Sequence, residues 1–248
     1  MPSRRLPNTI SAVTRTLTDA RDAWNQFPAS RLITAAHWAQ LDPADPASLL
    51  SRLLKETGDI PLALAAQAPL TDAFGKSLAR LTLHVSHFHE VLDLAIDRGV
   101  LPAASRAFYG RDITANGIPA LGSTADVLAA AAQIVSGEPA RASAEGAAHI
   151  PMAMPSAAEV QAVHDQTAAA HAASETAKQN TDTQQGELAA LYPEAQRLAV
   201  SLINTIEYNL GERPDLDAPG RRRIARAWGV VYINDDGSVA PEEPAPAP

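Results

Sequence analysis

The chain has 248 residues, of which 46% are hydrophobic but only 4% aromatic; it contains no cysteine and carries a formal net charge of −8. That length suffices for one large domain or two small ones without a covalent staple. The missing thiols exclude disulfides, thiolate metal ligands and a cysteine nucleophile. An acidic chain is poorly suited to phosphate backbones and repels anionic lipid. No segment approaches the roughly 20 consecutive apolar residues that cross a bilayer. The opening MPSRRLPNTISAVTRTLTDA has arginines but no apolar stretch behind them, so it does not read as a secretory signal. The expectation is a soluble cytoplasmic protein that engages neither nucleic acid nor membrane.

Residues 1–60 read as short helices. ISAVTRTLTDARDAWNQF is amphipathic and meets Pro28, and ASRLITAAHWAQL follows with Ser30 placed to cap it. In DPADPASLLSRLLKETG, Asp45 is placed to cap, Pro46 opens the helix and Gly58 marks its stop. Trp24 and Trp38 read as core anchors or interface residues.

The first long element follows. Phe74, Leu78, Leu81, Val85, Phe88, Leu92 and Ala95 recur in alternating steps of four and three, the seam of a bundle helix. Its start is set by Pro69 or Pro61, and Gly99 followed by Pro102 closes it. Residues 99–154 form a punctuated crossover: PAASRAFYGRDITANGIPALG is turn-rich, and STADVLAAAAQIVSG is a helix opened by Ser123 with Asp126 and stopped at Gly137. EPARASAEGAAHIPMAMP reads as linker.

Ser156 with Glu159 then caps the second long element, whose seam runs Val160, Val163, Thr167, Ala170, Ser174, Ala177, Thr181, Gln184, Leu188, Leu191. Its centre is small or polar, so it packs closely or borders water. Pro193 marks a break or kink before a strongly apolar continuation to Gly211. A last helix spans roughly Ala218–Trp228, and VVYINDDGSVA reads as a strand or hairpin. The fold expected is all-α: a long antiparallel helical bundle, up-and-down and four-helix-like, with short N-terminal helices and a small C-terminal extended or hairpin segment. The bundle core occupies 61–235, and 236–248 is a Pro/Glu/Ala tail without core-forming residues, expected to be disordered.

The blocks SHFHEVLDLAIDRGVLPAASRAFYG, LYPEAQRLAVSLINTIE and ARAWGVVY resemble a group of uncharacterised bacterial helical proteins over roughly residues 70–235. The resemblance implies one contiguous helical unit and carries no catalytic residue.

The densest chemistry is HVSHFHEVLD at 84–93. Residues three and four apart share a helix face, so His84 and His87 are neighbours beside the seam, while His89 lies across it. Those two imidazoles leave a metal ion short of ligands, and the second long helix offers His164, His171 or Asp165 to complete a transition-metal site. His164 and His171 sit about 10 Å apart along the axis, too far to share one ion. HEVLD departs from the zincin pattern, since Asp93 stands at the second histidine's place, and no Glu-x-x-His occurs for a di-iron bundle. Arg221, Arg222, Arg223 and Arg226 read as a solvated face. Phe108 and Tyr109, beside Arg106 and Arg111, read as a plug at the bundle end.

With no reaction centre recognisable, the expectation leans away from an enzyme. It is a scaffold or protein-interaction module with a protein partner or self-association and no cofactor. The alternative is a metal-binding bundle using His84 and His87 with His164, His171 or Asp165.

Overall fold

The computed structural model describes residues 2–27, 32–114 and 117–241. Pro28, Ser30, Asn116 and residues 242–248 of the tail lie outside the described residues. The protein is all-α, 72% helical and 3% strand, with its two longest helices packed against each other. No helix among the described residues is long and apolar enough to cross a membrane. In chain order the elements are β1 (Ser3–Arg5), α1 (Ile10–Gln26), α2 (Ala35–Ala39), α3 (Leu49–Asp97), α4 (Thr124–Glu145), α5 (Ala157–Gly211), α6 (Ala218–Ala227) and β2 (Val231–Ile233), with 3-10 turns at Ala103–Tyr109 and Gly146–Ala148.

The chain divides into two compact units, one comprising Met1–Leu62 and Asp182–Pro248, the other Ala63–Thr181. In the first, Thr9 caps α1 by accepting from Ala12 N, and α1 turns Val13, Leu17 and Ala20 inward at helical spacing. They meet Leu49, Leu50 and Leu53 of α3 and Leu202, Ile203 and Ile206 of α5 in one core. Trp24 and Trp38 stack with ring centroids 5.2 Å apart. Asp217 caps α6 through Gly220 N, and Trp228 is buried in the same core. β2 pairs antiparallel with β1, Arg4 opposite Tyr232, while a bridge from Ile233 to Val239 closes the turn at Asp236-Gly237. The expected C-terminal strand is present, but its main partner is the start of the chain, where SRR carries no strand signal of its own.

Several stop signals are overridden. α3 runs through Gly58, Pro61 and Pro69 as one helix; Asp45 bonds Ala47 N in the preceding turn rather than capping it. A glycine costs a helix interior only about 1 kcal/mol, and an apolar face buried against neighbours outweighs that. α4 continues past Gly137 and through Pro139 to Glu145, so the first part of the expected linker is helical. α5 continues through Pro193. The capping boxes at Ser123–Asp126 and Ser156–Glu159 both form.

In the second unit Leu81, Val85, Phe88 and Leu92 of α3, the expected seam, are fully buried and pack with Val160 and Val163 of α5 and with Val127, Ala131 and Ile134 of α4. Away from that core α3 and α5 continue as a pair. Thr71 faces Ser174 (3.4 Å between hydroxyls), Phe74 faces His171, Ser77 faces Thr167, and Gln67 accepts from Thr181 (2.8 Å).

Candidate functional site

That antiparallel register decides the histidine face. Each turn forward on α3 is a turn back on α5, so His84 and His87 come level with the first turn of α5. A groove of about 240 Å³ there is lined by Leu83, His84, His87, Met154, Pro155 and Glu159. His84 donates from Nδ1 to the Arg80 carbonyl (2.9 Å). None of His164, His171 and Asp165 lines the groove. His164 Nδ1 lies 3.2 Å from its neighbour Asp165 Oδ1, and His171 packs on Phe74 with ring centroids 4.7 Å apart. Among the described residues no three histidine, aspartate or glutamate side chains gather closely enough to hold a metal ion. The ligand sets drawn from the sequence assumed a register that placed His164 or His171 opposite His84; the seam places them further along α5.

His89 behaves differently from its two neighbours. It is fully buried, and among the described residues neither ring nitrogen has a hydrogen-bond partner. Burial, reinforced by the nearby Arg111 charge and only partly opposed by Asp93, holds its pKa down at about 4. The ring is neutral at pH 7.

Asp93, one turn beyond His89, collects two arginines from the crossover. Arg106 Nε donates to Oδ1 (2.9 Å), and Arg111 donates from Nη1 and Nη2 to both oxygens (3.0 and 2.9 Å). Gly117 N adds a contact of 3.3 Å. Both arginine side chains are only 5% exposed. Burial pushes the Asp93 carboxyl up, but the bonds from Arg111, Arg106 and Gly117 N outweigh it and leave it below the usual carboxylate range. Arg106 also donates to the Ile113 carbonyl (2.9 Å), fixing the turn after the 3-10 segment.

A second network starts at Tyr109, whose ring meets Phe88 edge-on at 5.0 Å. The Tyr109 hydroxyl donates to Glu138 Oε2 and accepts from Arg141 Nε (2.8 Å). Arg141 is completely buried and also reaches Glu138 (3.1 Å), Glu145 (2.9 Å) and the Ile150 carbonyl (2.7 Å). Met152 N donates to Glu138 (3.1 Å), and His149 sits between Glu138 and Glu145 at 3.4 and 3.3 Å. Burial raises the Glu138 carboxyl, and the bonds from Tyr109, Met152 N and Arg141 bring it down below its ordinary value. These groups spend their hydrogen-bonding capacity on one another and on the loop 149–152. They fix the path of the crossover.

Sequence reasoning named Asp93 only as the residue that breaks the zincin pattern, and it passed over Glu138, Arg141 and Glu145. The last three stand at spacings of three and four, the spacing of neighbours on one helix face. Pro139 and Gly137 had assigned them to a linker, which removed that meaning. Among the arginines near the C-terminus, Arg226 donates to the Ala240 carbonyl (3.2 Å) and lies 5.6 Å over the Tyr232 ring. Tyr232 in turn donates to Glu207 (3.1 Å).

Compared with protein-family profiles, curated proteins and solved structures, the chain shows no match.

Proposed function

We propose that this protein is a non-catalytic scaffold or protein-interaction module whose docking element is the paired-helix stretch of its second unit, with a second copy of the chain as the first partner to test. The observation that supports it is the coverage of that stretch. Between Leu64 and Lys76 of α3 only Gln67 and Phe74 are even partly covered, and between Ala168 and Asn180 of α5 only Ala170, His171, Ser174 and Ala177 are. Leu64 and Leu70 stand 47% and 37% exposed. Two helices meeting through alanines and hydroxyls bury little apolar surface, at about 25 cal/mol per Å². Alanine-rich outer faces admit another helix at close range. The ionised networks of the same unit are closed on themselves, which fits a structural role.

The test is sedimentation velocity or light scattering over a range of protein concentrations, with the Leu64→Glu/Leu70→Glu variant alongside. The reading expects concentration-dependent assembly that the variant loses while its helical circular dichroism is retained. A chain that stays monomeric throughout, or a variant that assembles like the parent, removes this reading.

A further inference from the structure

We infer that the groove at the start of α5 is a soft-metal site, with His84, His87 and the thioether of Met154 as donors and Cu(I) as the fitting ion. This goes beyond the interaction reading and does not rest on it. Three observations point to the same place. The two imidazoles stand one turn apart on α3 and line one groove with Met154. His84 Nδ1 is engaged by the Arg80 carbonyl, which fixes the tautomer and leaves Nε2 as a lone pair; metal-binding imidazoles are oriented by this kind of bond on their other nitrogen. Met154 is 78% exposed, whereas a thioether ordinarily fills gaps in a core, as Met152 does at 6% exposure.

The donor types choose the ion. Thioether sulfur with imidazole nitrogen favours Cu(I), and a set without convergent carboxylates is a poor match for Mg²⁺, Ca²⁺ or Mn²⁺. Glu159 is at the groove, but its Oε2 caps α5 by accepting from Ser156 N (2.7 Å) and Ser156 Oγ (3.0 Å). It supplies negative charge beside the cation while keeping its structural bonds. Because sulfur is one of the three donors, the site is consistent with the lack of any trio of histidine and carboxylate ligands among the described residues.

The experiment uses the full chain without a histidine tag, titrated anaerobically with Cu(I) against a chromophoric Cu(I) chelator. The expected result is one Cu(I) withdrawn per chain, lost in His84→Ala and in His87→Ala, and weakened in Met154→Leu. X-ray absorption of the loaded protein should show a sulfur neighbour that Met154→Leu removes. All three side chains are partly or largely exposed, so circular dichroism should confirm that the variants remain folded. Failure of the protein to compete with the chelator overturns the proposal. So does Cu(I) uptake that survives His84→Ala/His87→Ala, or a loaded spectrum unchanged by Met154→Leu.

Discussion

The hydroxyls of Ser77 and Thr167 lie 2.8 Å apart, buried, where α3 and α5 meet in the second unit. Thr167 Oγ1 also reaches the Val163 carbonyl at 2.8 Å. The Ser77 backbone carbonyl stands 3.2 Å from the same oxygen, so with one proton per hydroxyl Ser77 Oγ–H donates to Thr167 Oγ1, and Thr167 Oγ1–H goes to the backbone carbonyls, Val163 O being the nearer. A bond with both ends buried has asymmetric consequences: removing one partner strands the other. Thr167→Val should therefore destabilise by about 1–3 kcal/mol, while Ser77→Ala/Thr167→Val should recover much of that loss. Urea denaturation of the two single variants and the double variant, read as a double-mutant cycle, measures it.

Glycine substitutions should sort by contact rather than by helix position. A Cβ on Gly137 would run into the Phe108 carbonyl oxygen and the Tyr109 ring, whereas one on Gly58 or Gly75 meets nothing within 4 Å. Gly58→Ala and Gly75→Ala should each stabilise by about 0.5–1 kcal/mol, since both sit in a helix interior. Gly137→Ala should destabilise by about 1–3 kcal/mol or more through overpacking. Thermal denaturation of the three variants decides, and a stabilised Gly137→Ala would contradict the packing of the 3-10 segment on α4.

Removing Arg141 leaves the Tyr109–Glu138–Glu145 cluster with buried negative charge. Arg141→Met should cost about 3–5 kcal/mol, the usual consequence of breaking one side of a buried ion pair. Glu138 also makes the fold acid-sensitive. Its folded pKa lies below the ordinary 4.5, so it contributes stability above the unfolded value, and that contribution is lost as pH falls through the folded one. Asp93 acts in the same direction below its ordinary 3.8. Tyr109→Phe should move the acid-unfolding midpoint upward, as followed by circular dichroism between pH 6 and pH 2.

His89 titrates in the opposite chemical sense and adds to the same trend. Its folded pKa of about 4 lies below the free value of 6.5. Between those two pH values the unfolded chain binds a proton that the folded chain refuses, so stability falls as the solution is acidified from 6.5 to 4. His89→Leu should flatten that part of the profile. At pH 7 the variant should be neutral or stabilised by about 1 kcal/mol, because it removes buried polar atoms that have no partner. A loss of stability at pH 7 would mean that the ring nitrogens are bonded in solution.

Much of the helical framework was legible because it is written in local periodicity. Seven seam positions in alternating steps of four and three predict the second half of α3, and four of them, Leu81, Val85, Phe88 and Leu92, are fully buried. Capping boxes marked the starts of α4 and α5 because a hydroxyl and a carboxylate three residues apart satisfy free amides without help from elsewhere. Stops were read less well. Gly58, Pro69, Gly137 and Pro193 each carry a real local penalty, and each lies inside a continuous helix.

By itself, then, the sequence determined that this chain is helical, where its two longest helices place their seams, and that thiol chemistry is excluded. Those properties follow from side-chain spacing and composition, which are local. Only the tertiary structure decided which residues meet: Glu159 and Met154 beside His84, Arg106 and Arg111 on Asp93, Tyr109 on Arg141, and the strand at 231–233 on the start of the chain. The reason is that register between distant segments depends on the simultaneous fit of many small contacts, and no single short stretch of sequence encodes it.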